Sequence, residues 1–213
     1  MKVKFIEAKT SINLTKFNTS KLPKKIGLLT TVQFLDEINQ IKKYLESQDK
    51  KVFLGGQVLG CEFCNANKLE SKVDAFLYVG SGRFHPVGIG LSTKKPVFTW
   101  YPGDNQLKVI SAQDIEKIQK KKNGMLSKFL VSKIIGVLIS TKNGQIGVQA
   151  TMKKIFELNK KYPKKEFYFF MCNTLEFNEL ENFNFIECWI NTMCPRISED
   201  IRVLNFSDLK EIE

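Results

Sequence analysis

Five cysteines and a single histidine set the reactive chemistry open to this 213-residue chain. Cys61 and Cys64 form a C-x-x-C, and Cys194 lies 133 residues beyond Cys61 in the run NTMCPRI. Cys172 and Cys188 fall inside apolar runs and read as small buried hydrophobes. Cys61 and Cys194 instead end polar loops, where thiolates from two halves of a chain can converge. In a cytosolic chain five cysteines are not a disulfide framework, which leaves buried hydrophobes, reactive thiols and metal ligands as the alternatives. Structural zinc needs four ligands, so a lone C-x-x-C with one histidine elsewhere does not make a zinc ribbon. A cysteine or serine nucleophile commonly needs a base, and the sole imidazole, His85, precedes a proline and reads equally as a turn residue. No catalytic residue is assigned on these grounds.

The loops that carry these residues share a composition. TTVQ at 30–33, GGQVLGC at 55–61, GSGRFHP at 80–86, STKNGQ at 140–145 and NTMCPRI at 191–197 concentrate glycine, hydroxyl and amide residues. Two of the three arginines, Arg83 and Arg196, and the only histidine lie in them. Such loops bring backbone N–H groups up to a charged ligand. Taken singly, each glycine-rich loop also reads as a tight turn needing positive φ. Neither a Walker A motif nor a G-x-G-x-x-G opening a helix is present, since GSGRFHP departs after its G-x-G.

The elements that must position these loops alternate. Apolar runs at 26–29, 51–54, 75–79, 97–100, 134–139, 166–171 and 185–190 read as strands, and a further short strand is expected at 3–6. Helical spacing marks 34–45 and 146–158, with a short helical stretch at 65–69 and a charged helical connector at about 112–132. Strands separated by helices imply parallel sheets, whose functional loops lie at the carboxyl ends of the strands. IGLLTT at Ile26 returns as IGVLIST at Ile135, which indicates an internal duplication. The expected architecture is α/β, with two repeated three-layer domains of small parallel sheets flanked by helices. Residues 1–22 read as a leader or a remnant of a preceding domain, 23–105 as one domain carrying Cys61, and 106–213 as a second carrying Cys194.

Composition excludes several classes. At 43% hydrophobic and 26% charged the chain is globular, and no apolar run is long enough to span a bilayer. The N-terminal residues lack the hydrophobic stretch of a secretory signal, which makes the cytoplasm the expected location and a membrane an unexpected partner. The net charge of +11 comes from thirty lysines and only three arginines. Arginine is the preferred residue for bidentate phosphate and base contacts, so specific nucleic-acid binding is not expected.

Together the stretches IGLLTTVQ, GQVLGCEF, DAFLYVGSGRFHPVGIGLSTKKPV, GVLISTKNGQ and NTMCPRI resemble the diphthamide synthesis family, the 2-(3-amino-3-carboxypropyl)histidine synthases, over most of residues 25–205. The resemblance implies a non-standard radical transferase that holds a [4Fe-4S] cluster and binds S-adenosylmethionine. Its 3-amino-3-carboxypropyl group goes to a histidine of translation elongation factor 2. In that family three similar domains each give one cysteine to the cluster, and the second and third correspond to Cys61 and Cys194. By the same resemblance Gly80, Ser81, Gly82, Arg83, Ser140, Lys142 and Gln145 are candidate donors to S-adenosylmethionine. Arg196 beside Cys194 is expected to pair with its carboxylate or to offset the charge of the cluster.

By the same resemblance the sequence corresponds to the family's second and third domains, and the first domain with its cysteine is expected to be absent from it. The implied partners are a separate first-domain or sister subunit supplying a third cysteine, an electron donor, and elongation factor 2. Cys64 is a weaker third ligand, since it starts too close to Cys61. The alternatives are a non-catalytic supporting subunit, a plain binding module, and a quinolinate-synthase-like iron-sulfur enzyme, which would not account for GSGRFHP or CPRI.

Overall fold

A computed structural model describes Lys4, residues 6–142 and residues 148–212. Two compact units, Met1–Lys117 and Ile118–Glu213, each build their own sheet.

In the first unit β1 (Lys25–Thr30) is buried at every position after Lys25, and β3 (Ala75–Val79) is buried throughout. Such unbroken apolar strands need cover on both faces, which is the condition of a central parallel strand. They lie side by side in the order β2 (Lys51–Gln57), β1, β3, β4 (Val97–Tyr101), β5 (Gln106–Ile110). The first four strands are parallel and β5 returns antiparallel. One face is covered by α1 (Ile38–Ser47), which buries Ile38, Ile41 and Leu45 along one stripe. On the other face lie α2 (Cys64–Asn67) and α3 (Phe84–Thr93), which contribute Ala66 and Ile89.

The segment read as a leader packs on the α1 face, burying Ile12, Leu14, Phe17 and Leu22, with Phe17 stacked on Trp100 at 4.1 Å. Its apolar residues follow neither a helical nor a strand period, so the pattern hid their burial. The boundary expected near residue 105 falls in the β4–β5 turn, where Asn105 has φ 52° and Asp104 Oδ1 accepts from the Gln106 N–H. QLKVI is only five residues long and carries a lysine, which masked β5. The helix α4 (Ala112–Val131) follows, and the two units divide within it.

The second unit orders β7 (Glu166–Cys172), β6 (Ile134–Ser140), β8 (Cys188–Asn191) and β9 (Leu204–Asn205), all parallel. Met125, Leu126 and Phe129 of α4, with Ile155 and Leu158 of α5 (Val148–Lys161), pack on Ile135, Val137 and Ile139. Phe170, Phe183 and Trp189 form an edge-to-face aromatic group, with Phe170 at 4.6 Å from Phe183 and 4.8 Å from Trp189. The strand expected at 185–190 begins only at Cys188, and the short β9 after α6 (Ile197–Asp200) carried no pattern long enough to read. The first residues of the helix expected at 146–158 lie outside the described residues, as do Val3 and Phe5 of the strand expected at 3–6; Lys4 and Ile6 are in no strand.

The duplication extends to side-chain packing. Gly27 of β1 pairs with Phe76 of β3, and Gly136 of β6 pairs with Trp189 of β8. In each case the partner's ring occupies the space a Cβ would need. Both central strands therefore use glycine at the same register to admit an aromatic ring from the next strand.

Candidate functional site

The Cys61 loop leaves the carboxyl end of β2. Its first residue is tied to β1 by Val58 N–H donating to Thr30 C=O at 2.8 Å, and Asn65 Nδ2 donates to Gln57 C=O at 3.1 Å. Gly56 at φ 76° and Gly60 at φ 58° turn the chain through left-handed conformations that L side chains disfavour. Cys61 and Cys64 are both exposed, and Cys64 is the first residue of α2. Between them Phe63 seats its ring against α3 where Gly88 leaves room, and a Cβ on Gly88 would overlap that ring. The loop is thus held on the helix that follows GSGR.

The Cys194 loop leaves the carboxyl end of β8 and is braced by amides. Asn191 is buried; its Nδ2 donates to Cys194 C=O at 3.0 Å and to Asn205 Oδ1 at 2.8 Å, while its Oδ1 accepts the Met193 N–H at 3.0 Å. Asn205 Nδ2 reaches Ser198 Oγ at 3.0 Å, and Ser198 Oγ donates to Pro195 C=O at 2.8 Å. Cys194 is half-buried, and Arg196 stands at the N-cap of α6. Sequence reasoning missed Asn191, Asn205 and Ser198. The signal was a polar residue ending an apolar strand, buried where only hydrogen bonds make it tolerable.

Gly80, Ser81, Gly82 and Arg83 follow one another in the loop between β3 and α3. They line one wall of a cavity of about 580 Å³ whose other walls include Thr99, Tyr101, Lys108 and Asp114. Arg83 Nη2 meets Asp114 Oδ2 at 3.2 Å. The Ser111 hydroxyl and then the Arg83 guanidinium hold the Asp114 carboxyl below its usual range. Beneath the loop the buried Tyr78 hydroxyl lies 3.2 Å from His85 Nδ1, and burial pushes the Tyr78 pKa up to about 12. His85 is in the first turn of α3 and contacts the loop's supporting tyrosine.

In the second unit Ser140 ends β6, and its Oγ accepts the Lys142 N–H at 3.1 Å, which uses the oxygen but not the O–H. Lys142 is exposed, and Gln145 lies outside the described residues. Cys188 is core, its thiol pushed up to about 11 by burial. Cys172, expected in the core, is only half-buried because β7 is an edge strand, and burial raises its thiol pKa against the opposing effect of Lys142. Among the described residues no three His, Cys, Asp or Glu side chains gather into a group able to hold a metal ion.

The family model for diphthamide synthesis protein matches residues 1–207. The chain belongs to the diphthamide synthesis protein family. Among curated relatives it is similar to 2-(3-amino-3-carboxypropyl)histidine synthase of Pyrococcus horikoshii, 33% identical over 189 residues, covering 84% of this chain and 53% of the relative. It is also similar to subunit 1 of that synthase from Schizosaccharomyces pombe, 27% identical over 192 residues, covering 83% of this chain and 42% of the relative. The crystal structure of Dph2 from Pyrococcus horikoshii matches with TM-score 0.75 and 30% identity over 90% of this chain and 58% of that one. A second Dph2 structure, with a 4Fe-4S cluster, matches equally. The chain spans about half the length of the curated relatives it matches. Family membership accounts for the parallel-rich sheets flanked by helices. No helix among the described residues is long and apolar enough to cross a membrane.

Proposed function

We propose that this chain is one part of a hetero-oligomeric radical transferase that moves a 3-amino-3-carboxypropyl group from S-adenosylmethionine to a histidine of translation elongation factor 2. Cys61 and Cys194 act as two iron ligands of a [4Fe-4S] cluster, and a separate polypeptide supplies the third. The observation that carries this is the conjunction of family membership with two cysteines on loops beyond the carboxyl ends of strands, in a family whose Dph2 member has a structure with a 4Fe-4S cluster. The donor set fits: Cys61 is exposed, Cys194 is half-buried on an amide-braced loop, and thiolates are the ligands such clusters take.

When bound, the cluster supplies the electron that cleaves the bond between sulfur and the γ-carbon. The chain's own residues bind and orient. Gly80, Ser81 and Gly82 offer backbone groups, and Arg83, steadied by Asp114, presents a guanidinium to the carboxylate of the methionine moiety. Arg196, next to Cys194, offsets negative charge at the cluster. Ser140, Lys142 and Gln145 stand as further donors. The function occupies the cytoplasm, with an electron donor as an additional partner.

Anaerobic reconstitution with iron and sulfide tests the reading. The full chain alone is expected to take up a substoichiometric cluster, and addition of a first-domain polypeptide is expected to bring it to four irons with visible absorption. Cys61→Ala or Cys194→Ala should abolish that absorption while leaving the far-ultraviolet circular dichroism intact. An unchanged spectrum in either variant rejects the ligand assignment. A complete complex that binds a cluster but transfers nothing would favour a supporting role.

A further inference from the structure

Two side chains at the GSGRFHP loop have no task in the chemistry above: His85, the only imidazole of the chain, and Tyr78, which is fully buried. Tyr78 is in β3, two residues before the loop, and His85 is in the first turn of α3, just after it. Their ring centroids lie 5.7 Å apart, with the Tyr78 hydroxyl 3.2 Å from His85 Nδ1 and 3.4 Å from Ser81 C=O. The same hydroxyl stands 2.7 Å from the place a Cβ would take on Gly80, so the loop backbone rests directly on the phenol. One oxygen thus sits against the beginning, the middle and the end of the turn. The Tyr78 ring is itself fixed, since it belongs to the buried cluster that contains Val58 of the Cys61 loop, Ala66 of α2 and Ile89 of α3.

A phenol has one hydrogen, and two acceptors are within its reach, so its choice decides the state of the imidazole. Burial keeps the phenol protonated, pushing its pKa up to about 12. His85 Nδ1 is the nearer acceptor, and a buried hydroxyl takes a partner rather than none. With Nδ1 accepting that hydrogen, neutral His85 carries its own proton on Nε2. The loop is then tied from below, while Ser81, Gly82 and Arg83 stand exposed above it.

We propose that Tyr78 and His85 are positioning residues for the S-adenosylmethionine site, a phenol–imidazole staple that holds the GSGR loop in the shape that presents Arg83 to the ligand. The proposal rests on the reading of that loop as the cofactor's. Arg83 C=O accepts the Val87 N–H at 3.0 Å, so its backbone moves with the first turn of α3, the turn that carries His85. Removing the Tyr78 hydroxyl leaves the ring in the core, so the fold persists while the loop loses its tie.

The single histidine makes the test direct. Isotope-labelled histidine in the untagged full chain gives one pair of ring-nitrogen resonances, expected at neutral pH to show a protonated Nε2 and an Nδ1 shifted as a hydrogen-bond acceptor. In Tyr78→Phe that acceptor shift is expected to vanish with the far-ultraviolet spectrum unchanged. A proton on Nδ1 in the wild type, or an Nδ1 resonance indifferent to Tyr78→Phe, overturns the staple. Binding of S-adenosylmethionine to the complex reconstituted with a first-domain polypeptide is the second readout, and its His85 variants serve even where Tyr78→Phe misfolds. Tyr78→Phe and His85→Leu should weaken binding about fivefold, the effect of one ordinary hydrogen bond. His85→Asn, whose Oδ1 can accept the same hydrogen, should bind as the wild type does. Leucine replaces the packing of the imidazole better than asparagine does, so a residue that merely fills space would give the reverse order. That reverse order, or unchanged binding in Tyr78→Phe and His85→Leu alike, overturns the proposal. A wild-type complex that binds no S-adenosylmethionine overturns the transferase reading first and the proposal with it; the nitrogen resonances, read on the chain alone, tell that failure apart.

Discussion

Asn191 shows how much of this molecule rests on single polar side chains. Its amide, itself buried, joins three half-buried partners across the end of β8, the Cys194 loop and β9. Removing it leaves buried donors and acceptors without partners, which costs more than the bonds themselves contributed. Asn191→Ala is expected to destabilise the protein by about 1–3 kcal/mol, read as a lower urea midpoint at unchanged slope. The same substitution loosens the backbone beside the cysteine, so cluster occupancy in the reconstituted complex should fall even where the protein stays folded. The sequence shows a polar residue ending an apolar run; that it braces Cys194 depends on Asn205, fourteen positions later, being folded back beside it.

Helices in this fold do unequal work, and two glycines separate the roles. Gly124 in α4 has no atom within 4 Å of the position a Cβ would take, so only helix propensity acts there. Gly124→Ala is expected to raise stability by about 0.5–1 kcal/mol. Gly88 in α3 has the Phe63 ring in that space. There the propensity gain of about 1 kcal/mol competes with overpacking that costs typically about 1–3 kcal/mol, so Gly88→Ala should be neutral to destabilising. Because Phe63 sits two residues after Cys61, it should also displace the cysteine loop. Thermal melts of the two variants, with cluster absorption as the second readout, separate these effects. Gly88→Ala matching Gly124→Ala in both would show that α3 does not position Cys61.

At the scale of the whole chain the charge of +11 is carried almost wholly by lysine, on both units. Dispersed lysines contribute little to stability, but their summed field steers an encounter with an acidic protein surface. With elongation factor 2 as the proposed substrate, the association rate is expected to fall about tenfold between about 20 and 150 mM salt. Stopped-flow mixing at those two ionic strengths measures it, and a flat rate removes the lysines from docking. The two units also differ in how their sheets end. The first unit adds an antiparallel strand, β5, beyond β4, whereas the second stops at the two-residue β9. The duplicated design was therefore extended at one edge in the first copy only.

The sequence by itself determined the central strands, the repeat and the loops. Unbroken apolar runs such as IGLLT and AFLYV read as central strands, and IGVLIS repeats the first of them with its glycine in place. These signals are local, set by hydrophobic pattern and by residue type at one point of the chain. Tertiary structure decided whatever depends on contact between distant positions. Residues 12–22 are aperiodic, yet Phe17 stacks on Trp100, and Phe63 rests where Gly88 leaves space. The edge position of β7 is the clearest case: EFYFFMC reads as a central strand, and only the order of the strands leaves one of its sides without a neighbour. Pattern records how apolar a strand is, whereas adjacency in a sheet is a property of the folded chain.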